Sequence, residues 1–173
     1  MSSQNPHEPF QYELPLEPSE THSPYTAVNE DDVIAQAFRI LCNRHRPGAI
    51  LTSPEDTRNF IRLKIAEELN EVFGCLFLDN RHRVIAVEEL FTGTIDGASV
   101  HPRVVVQQAL KAHNAAAVIF FHNHPSGVVE PSQADLRITQ RLKEALALVD
   151  IRVLDHVIVS HEGSTSLAER GLL

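Results

Sequence analysis

The sequence predicts an α/β fold in which helices cover the faces of a mixed β-sheet. Two apolar segments, residues 71–78 and 84–91, flank a short polar turn and are typical of a β-hairpin. Two more apolar segments, 115–121 and 151–159, are typical of buried strands, and a helix-start signal separates them. The combination of a hairpin with a strand–helix–strand unit indicates a mixed sheet.

Two helices are predicted before the first strand. The first, about residues 31–44, starts with two aspartates that can cap and charge its first turn. The second, about residues 53–69, begins with the cap residue Ser53, with Pro54 at the first helical position and with acids in the first turn. Residues 31–70 are therefore expected to form a helical N-terminal part.

Two more helices are predicted between the later strands. The third, about residues 102–113, follows a glycine-containing loop at 92–100 and begins at Pro102. The fourth, about residues 132–149, begins with a proline and a serine. The last segment, 166–173, has no clear pattern.

Residues 1–30 are predicted to form a disordered, acidic, proline-rich tail. They hold half of the ten prolines and few large apolar side chains, so they cannot bury enough surface to become ordered. A peptide that docks on a partner is the alternative. Residues 31–173 are long enough for one domain with a core, and their part from 71 to 173 is expected to be the catalytic core.

The charge of the chain is uneven. Its net charge is −8, from 23 acidic and 15 basic residues, and seven of the acids precede Arg39, the first basic residue. Subtracting those seven leaves 16 acids against 15 bases in the rest of the chain. A nearly neutral body with an acidic tail binds nucleic acid poorly, so a nucleic-acid partner is not expected.

The two cysteines and the apolar segments bear on the compartment. Cys42 and Cys75 lie among apolar residues, where buried free thiols are favoured and a reducing compartment is indicated. The chain starts with a polar, proline-rich segment, and its apolar runs are shorter than the roughly 18 residues of a spanning helix. These features predict a soluble, cytoplasmic protein.

Two histidines and an aspartate form a candidate metal site. His122 and His124 follow an apolar strand, and residues two apart on an extended chain point to the same side. Pro125 ends the strand and Gly127 permits a tight turn, so Asp135 in the first turn of the next helix can face both rings. Two imidazoles and a carboxylate suit zinc, with manganese or iron as alternatives, and three protein ligands leave a position for a reactive water.

Hydrolysis by such a water needs a base, and several glutamates are candidates. Glu71 has the best position, because it precedes a buried strand and can enter a cleft. The other candidates lie on a helix or on the hairpin, where solvated carboxylates are normal: Glu67, Glu68, Glu88 and Glu89.

Ser132 and Asp135 have a second interpretation. Their spacing resembles a helix capping box, with Asp in place of the preferred Glu. For Ser132 the cap and an oxyanion-stabilising role are compatible. For Asp135 the cap and the metal compete, and the two histidines favour the metal.

Two further residues near these motifs stay open. His156 could be a fourth ligand, but a hydrogen-bonded structural histidine is more usual. Arg103 could hold a substrate carboxylate or pair with a local acid.

The spacing His-x-His, seven residues, Ser, two residues, Asp resembles the JAMM motif of the JAB/MPN metalloprotease family, and His122, His124, Ser132 and Asp135 match it without a gap. The wider text is similar to the RadC branch, in its short form found in prophages and plasmids, over roughly residues 31–173. It includes Thr92-Gly93-Thr94, His101-Pro102-Arg103, His122 to Gly127, Pro131-Ser132 and Leu154-Asp155-His156.

The resemblance implies the JAB/MPN fold, a three-layer α/β sandwich related to that of cytidine deaminases. It implies zinc as the metal, Glu71 as the catalytic glutamate and Ser132 as the serine that stabilises the tetrahedral intermediate. The implied chemistry is hydrolysis of peptide or isopeptide bonds in a protein or peptide substrate.

Two other functions need different residues or lack support in this motif. A zinc nucleobase deaminase needs His-x-Glu and Cys-x-x-Cys, which the sequence lacks. JAB/MPN scaffolds typically lose metal ligands, whereas this chain keeps them. A DNA repair or recombination accessory protein without proteolytic activity is the alternative that the RadC resemblance suggests.

Overall fold

A computed structural model describes residues 29–44, 48, 53–93 and 99–173 of the chain. The tail predicted for residues 1–30 lies outside the described residues except for its last two. The same holds for most of the loop predicted at 92–100 and for the side chain of Cys42.

The described residues form four α-helices and five strands. The helices are α1 (Glu30–Arg44), α2 (Pro54–Ile65), α3 (Pro102–Gln107, continued by a π-helical turn Gln108–Ala112) and α4 (Gln133–Ala147). The strands are β1 (Val72–Leu78), β2 (Val84–Thr92), β3 (Ala117–Asn123), β4 (Arg152–Val159) and β5 (Ser164–Ser166). In the part of the chain that the structure describes, no helix has the length and apolarity needed to cross a bilayer.

The strands form one mixed sheet in the order β2-β1-β3-β4-β5. β1 pairs antiparallel with β2 and with β3, β3 pairs parallel with β4, and β5 pairs antiparallel with β4. The parallel pair is joined through α4, the crossover that two parallel strands require. The predicted fold class, an α/β fold with a mixed sheet, is confirmed.

Each face of the sheet packs against helices. On one face, Phe60, Ile61 and Ile65 of α2 pack with Leu76 of β1 and Phe121 of β3. The other face is built from residues of β1 and β3 packed against α3 and α4: Phe73, Cys75, Phe77, Phe120, Val105, Ala109, Leu142 and Leu146. Alternate side chains of β1 point to opposite faces of the sheet and pack into both cores, so the whole strand is buried.

Two residues of β1 show how closely these layers approach. A Cβ on Gly74 would lie 2.2 Å from the Phe121 ring and 2.5 Å from the carbonyl oxygen of Glu88, so only glycine fits. The neighbouring Cys75 is a free, buried cysteine, as predicted. Burial, with a smaller contribution from Glu88, raises the pKa of its thiol, so the thiol is not a reactive group.

The ends of α2 and β3 differ from the predictions. α2 ends at Ile65 rather than near Leu69, and β3 continues through His122 to Asn123 rather than ending at Phe121. β3 is longer because His122 and Asn123 still pair with Ile158 and Val159 of β4. α2 ends in a turn, in which the amide of Glu68 donates to the carbonyl of Ile65 at 3.2 Å, and the amide nitrogen of Asn123 then donates to the carbonyl oxygens of Glu68 and Asn70 at 3.1 Å each. The segment 166–173, which has no clear sequence pattern, starts with the last residue of β5 and continues in turns.

Candidate metal centre

The two histidines and the aspartate meet where β3 ends and α4 begins. His122 Nε2 lies 2.9 Å from His124 Nε2 and 3.3 Å from Asp135 Oδ1, and His124 Nε2 lies 3.4 Å from Asp135 Oδ2. One ligand atom from each residue falls within 4.8 Å of the others. The three groups therefore form a cluster that can hold a metal ion.

The end of β3 directs these side chains. His122 follows Phe120 on the α4 face, and its ring stacks against Phe73 at a centroid distance of 6.4 Å. The amide of His124 donates to the carbonyl of Val159 at 2.9 Å, so pairing with β4 continues one residue beyond the strand. Gly127 then turns the chain with φ of +90°, and its missing Cβ would lie 2.7 Å from the His161 ring.

Asp135 serves the helix cap and faces the histidines at once. Its Oδ2 accepts from the Ser132 amide at 2.7 Å, and its own amide donates to Ser132 Oγ at 3.1 Å. Two carboxylate oxygens offer enough lone pairs for the cap and for the cluster. The expected competition between the two roles does not arise in this geometry. The cap instead fixes the orientation of the carboxylate.

Hydrogen bonds set the protonation of the cluster. Burial alone would raise the pKa of Asp135, but hydrogen bonds to His122 and His124 outweigh it and hold this pKa far below its usual range. The same bond to Asp135 raises the pKa of His124 above 6.5, against the opposing effect of burial. Below the pKa of His124, a proton therefore lies between His124 and Asp135, in the position that a cation would take.

The tautomer of His124 suits a metal ligand. Its Nδ1 lies 2.6 Å from the carbonyl oxygen of Val128, which can only accept a hydrogen bond. The proton of the neutral ring is thus assigned to Nδ1, and Nε2 directs a lone pair at the cluster. Imidazole nitrogens and a carboxylate oxygen are the ligands of divalent transition metals such as zinc.

Glu71 lies beside this cluster at the edge of the sheet. It precedes β1 by one residue, two positions before Phe73, which is paired with His122. Continuing that antiparallel register places Glu71 opposite His124 on the same face. The charge of Glu71 contributes to the raised pKa of His124, as expected for neighbouring groups.

The other candidate glutamates lie elsewhere. Glu88 lies 2.9 Å from His113 Nε2, and Glu89 pairs with Lys64. Glu67 and Glu68 are exposed after the end of α2. Their surroundings therefore leave Glu71 as the candidate nearest to the cluster.

Comparison with known proteins agrees with the motif and the geometry. Residues 51–172 match the RadC-like JAB domain. The chain belongs to this family. It is 68% identical over 141 residues to a UPF0758 protein of Thioalkalivibrio sulfidiphilus, covering 82% of this chain and 62% of the relative. It is 68% identical over 126 residues to one of Nitrosococcus oceani, covering 73% and 56%.

A third relative is covered more completely. The UPF0758 protein of Vibrio cholerae is 57% identical over 144 residues, which cover 83% of this chain and 90% of the relative. The chain spans about three fifths of the length of the first two relatives.

His156 is a buried neighbour of the JAB-domain cluster. Its Nε2 lies 2.8 Å from His122 Nδ1, and its Nδ1 lies 2.6 Å from Thr139 Oγ1. Burial lowers its pKa well below 6.5, so the ring is neutral. The interpretation of His156 as a hydrogen-bonded structural histidine agrees with these contacts. Arg103 is exposed at the start of α3, and its role stays a prediction.

Two residues of this JAB domain were missed by the sequence analysis. Asn123 holds the segment that carries Glu71, because its Oδ1 also accepts from the Val72 amide at 2.7 Å. Thr139 contacts His156 from the second turn of α4. The strand alternation already directed Asn123 away from the histidines, and Thr139 is four residues after Asp135. The spacing could have found Thr139, but the partner of Asn123 needed the fold.

Proposed function

We propose that this chain is a zinc-dependent hydrolase that cleaves peptide or isopeptide bonds in protein or peptide substrates. The observation that carries this proposal is the convergence of His122, His124 and Asp135, with ligand atoms within 4.8 Å of one another. Membership of the RadC-like JAB family and the unbroken motif support it.

The residues fit zinc by their chemistry. His122 and His124 would supply imidazole nitrogens and Asp135 a carboxylate oxygen, a set of three typical of catalytic rather than structural zinc. When bound, zinc supplies a Lewis acid that activates water for attack on a carbonyl group. The capping box keeps Asp135 oriented for this task without any rearrangement.

Glu71 and Ser132 would complete the reaction. Glu71, on the same face as His124, accepts a proton from the attacking water and later delivers it to the leaving amine. Ser132 Oγ accepts from the Asp135 amide, so its hydroxyl proton stays available to the developing oxyanion. Both roles rest on side chains that flank the cluster from different elements.

The test compares wild type with Glu71→Gln. Both proteins are supplied with zinc, dialysed, analysed for metal and incubated with a peptide library and with isopeptide-linked peptides. The proposal predicts about one zinc per chain in both proteins and cleavage only by the wild type. Equal cleavage by the variant would remove Glu71 as the base. A folded wild type without zinc would remove the mechanism.

The surface charges favour this proposal over a DNA-bound accessory role. Several basic side chains of the described residues are paired with acids: Arg58 with Glu169, Lys64 with Glu89, Arg170 with Glu130, Arg44 with Asp56 and Arg83 with Asp79. Paired cations attract phosphate weakly. Salt-dependent binding of the full chain to duplex DNA would support the accessory role instead.

A further inference from the structure

A buried chain of polar groups runs behind the cluster from one candidate ligand to another. The hydroxyl of Thr139 lies 2.6 Å from the backbone carbonyl oxygen of Asp135 and 2.6 Å from His156 Nδ1. His156 Nε2 lies 2.8 Å from His122 Nδ1. His122, His156 and Thr139 are 1%, 0% and 2% exposed, so water does not compete for these bonds.

The direction of the first bond is fixed by chemistry. A backbone carbonyl has no proton, so a contact of 2.6 Å to Thr139 Oγ1 requires the single hydroxyl proton of threonine. That proton is then not available for His156. The contact of 2.6 Å between Thr139 Oγ1 and His156 Nδ1 therefore requires a proton on Nδ1.

The same logic passes through the two rings. A neutral His156 that is protonated on Nδ1 has a bare Nε2, which can only accept. His122 Nδ1, 2.8 Å away, must then carry the donated proton. When a cation replaces the proton between His122 and Asp135, the neutral His122 keeps its proton on Nδ1 and has a bare Nε2, the atom that lies 3.3 Å from Asp135 Oδ1.

We propose that Thr139 and His156 are positioning residues that fix the tautomer and the ring orientation of His122, so that its Nε2 lone pair is always presented to the cation. This role rests on the proposed metal site. It differs from that of Val128, whose carbonyl fixes His124 directly. His122 has no such carbonyl; its Nδ1 faces a second ring, which must itself be held in one tautomer.

The arrangement also joins the two elements that supply the ligands. It starts at the backbone of Asp135 in α4, passes through His156 in β4 and ends at His122 in β3. Hydrogen bonds to the second nitrogen of a ligating histidine raise its basicity and hold its orientation. A polar cluster that only satisfied buried groups would stabilise the fold without affecting metal affinity.

Thr139→Val and Thr139→Ser separate these two roles. Valine keeps the shape of threonine and removes the hydroxyl, whereas serine keeps the hydroxyl and removes the methyl group. We expect Thr139→Val to bind zinc about 10- to 100-fold more weakly than wild type, the range for loss of a supporting residue, and Thr139→Ser to stay close to wild type. Zinc affinity is measured by competition with a chelator, with circular dichroism as the check of folding.

The wild-type protein provides a second measurement that needs no variant. Long-range ¹H–¹⁵N spectra of the imidazole rings in metal-free protein are expected to show His156 and His122 both protonated on Nδ1. In Thr139→Val the ¹⁵N shifts of His156 are expected to move toward those of the other tautomer. A wild-type His156 protonated on Nε2 would overturn the proposal, as would a folded Thr139→Val that binds zinc as tightly as wild type.

The two measurements distinguish this inference from the proposed function. If the wild type binds no zinc, the proposed hydrolase fails, and the ring tautomers of the metal-free protein still decide whether the hydrogen-bond order exists. If the wild type binds zinc and Thr139→Val binds it equally, the metal site stands and the positioning role is refuted.

Discussion

The end of β3 presents different side chains to the two faces of the sheet. On the α4 face, His122 and His124 converge with Asp135 into the candidate metal cluster. On the α2 face, Asn123 makes three hydrogen bonds to the backbone of the segment from Glu68 to Val72. Of the three consecutive residues 122–124, the two histidines thus face the candidate metal site, and Asn123 between them holds the segment that carries the proposed base, Glu71. The period of two in a strand can therefore place a candidate metal site and the support of a proposed base on opposite faces of a sheet.

The largest effect is expected for a substitution in the candidate metal cluster, on the α4 face alone. Asp135→Asn keeps the size of the side chain and an oxygen for the Ser132 amide, but it removes the negative charge. We expect zinc affinity to fall by more than the roughly 100-fold that a supporting residue contributes. Competition with a chelator measures this loss. Ser132→Ala is the control, because it removes the hydroxyl of the cap and leaves the carboxylate in place.

The result for Asp135→Asn is informative only if the helix start survives. Loss of a cap costs about 0.5–2 kcal/mol, and the side-chain oxygen of an asparagine at position 135 can still accept from the Ser132 amide. The metal-free variant should therefore unfold close to wild type in a denaturant titration. Zinc binding at wild-type affinity would show that the carboxylate is not a ligand.

The next largest effect is expected for a substitution that removes hydrogen bonds on the α2 face. Asn123→Asp keeps Oδ1 for the Val72 amide and removes the donor to the carbonyls of Glu68 and Asn70. Asn123 is fully buried, so the variant leaves a buried carboxylate oxygen without a partner, which costs about 1–3 kcal/mol. Denaturant unfolding should show lower stability, and hydrogen exchange should increase in the segment before β1. Zinc affinity should stay close to wild type, because the ligand atoms lie on the other face; a loss as large as that of Asp135→Asn would contradict the division between the faces.

These two faces also show what the sequence could and could not predict. The start of α2 at Pro54 and the cap at Ser53 were predictable, because proline and serine act through the local backbone. The convergence of His122, His124 and Asp135 followed from strand alternation and a helix start. The bonds of the segment after α2 were not predictable from local signals, since the side chain that bonds the carbonyls of Glu68 and Asn70 is Asn123, more than 50 residues away.

The contacts of His156 illustrate the same limit. Its environment depends on β4 lying parallel to β3 and on Thr139 in α4, so three elements must be placed before its bonds can be assigned. The sequence identified His156 as a histidine near the site but gave it no partner. The capping box shows a smaller difference. The spacing suggested that the helix cap and the metal site compete for Asp135, whereas its carboxylate accepts from the Ser132 amide and also faces the two histidines.

The pH dependence of zinc affinity tests the protonation of the cluster on the α4 face. The bond to Asp135 raises the pKa of His124 above 6.5, so the metal-free protein keeps that proton at higher pH than a free histidine would. Zinc must displace the proton. Affinity should therefore be constant above the pKa of His124 and fall by about tenfold per pH unit below it. The low pKa of Asp135 means that this carboxylate takes up no proton in the same range.

The raised pKa of His124 also predicts how the stability of the metal-free protein changes with pH. A raised pKa in the folded state means that the His124–Asp135 pair stabilises the fold most at low pH, and that this contribution is lost as the pH rises through the pKa of His124. Asp135→Asn removes the partner that raises the pKa of His124, so the fall in zinc affinity should move to lower pH and the contribution of the pair to stability should disappear. A zinc affinity that does not change between pH 8 and pH 6, chosen as about 1 unit on each side of neutrality, would contradict it.

The smallest expected effect concerns the turn after His124. Gly127→Ala places a Cβ at φ of +90° and 2.7 Å from the exposed His161 ring, which can move aside. The cost of an alanine in this backbone region is about 1 kcal/mol. Gly163→Ala is the matched control, since no atom lies within 4 Å of its added Cβ. Thermal unfolding should separate the two variants; equal melting temperatures would show that the turn tolerates a side chain.

Zinc K-edge X-ray absorption of the wild-type chain would identify the atoms that bind the ion. The protein is loaded with one equivalent of zinc, and the nearest ligands are identified from the spectrum. The account predicts two imidazole nitrogens, with the remaining ligands oxygen, at about 2.0–2.2 Å, and the loss of this signature in Asp135→Asn. A spectrum without imidazole ligands, or one that is unchanged in the variant, would contradict the account.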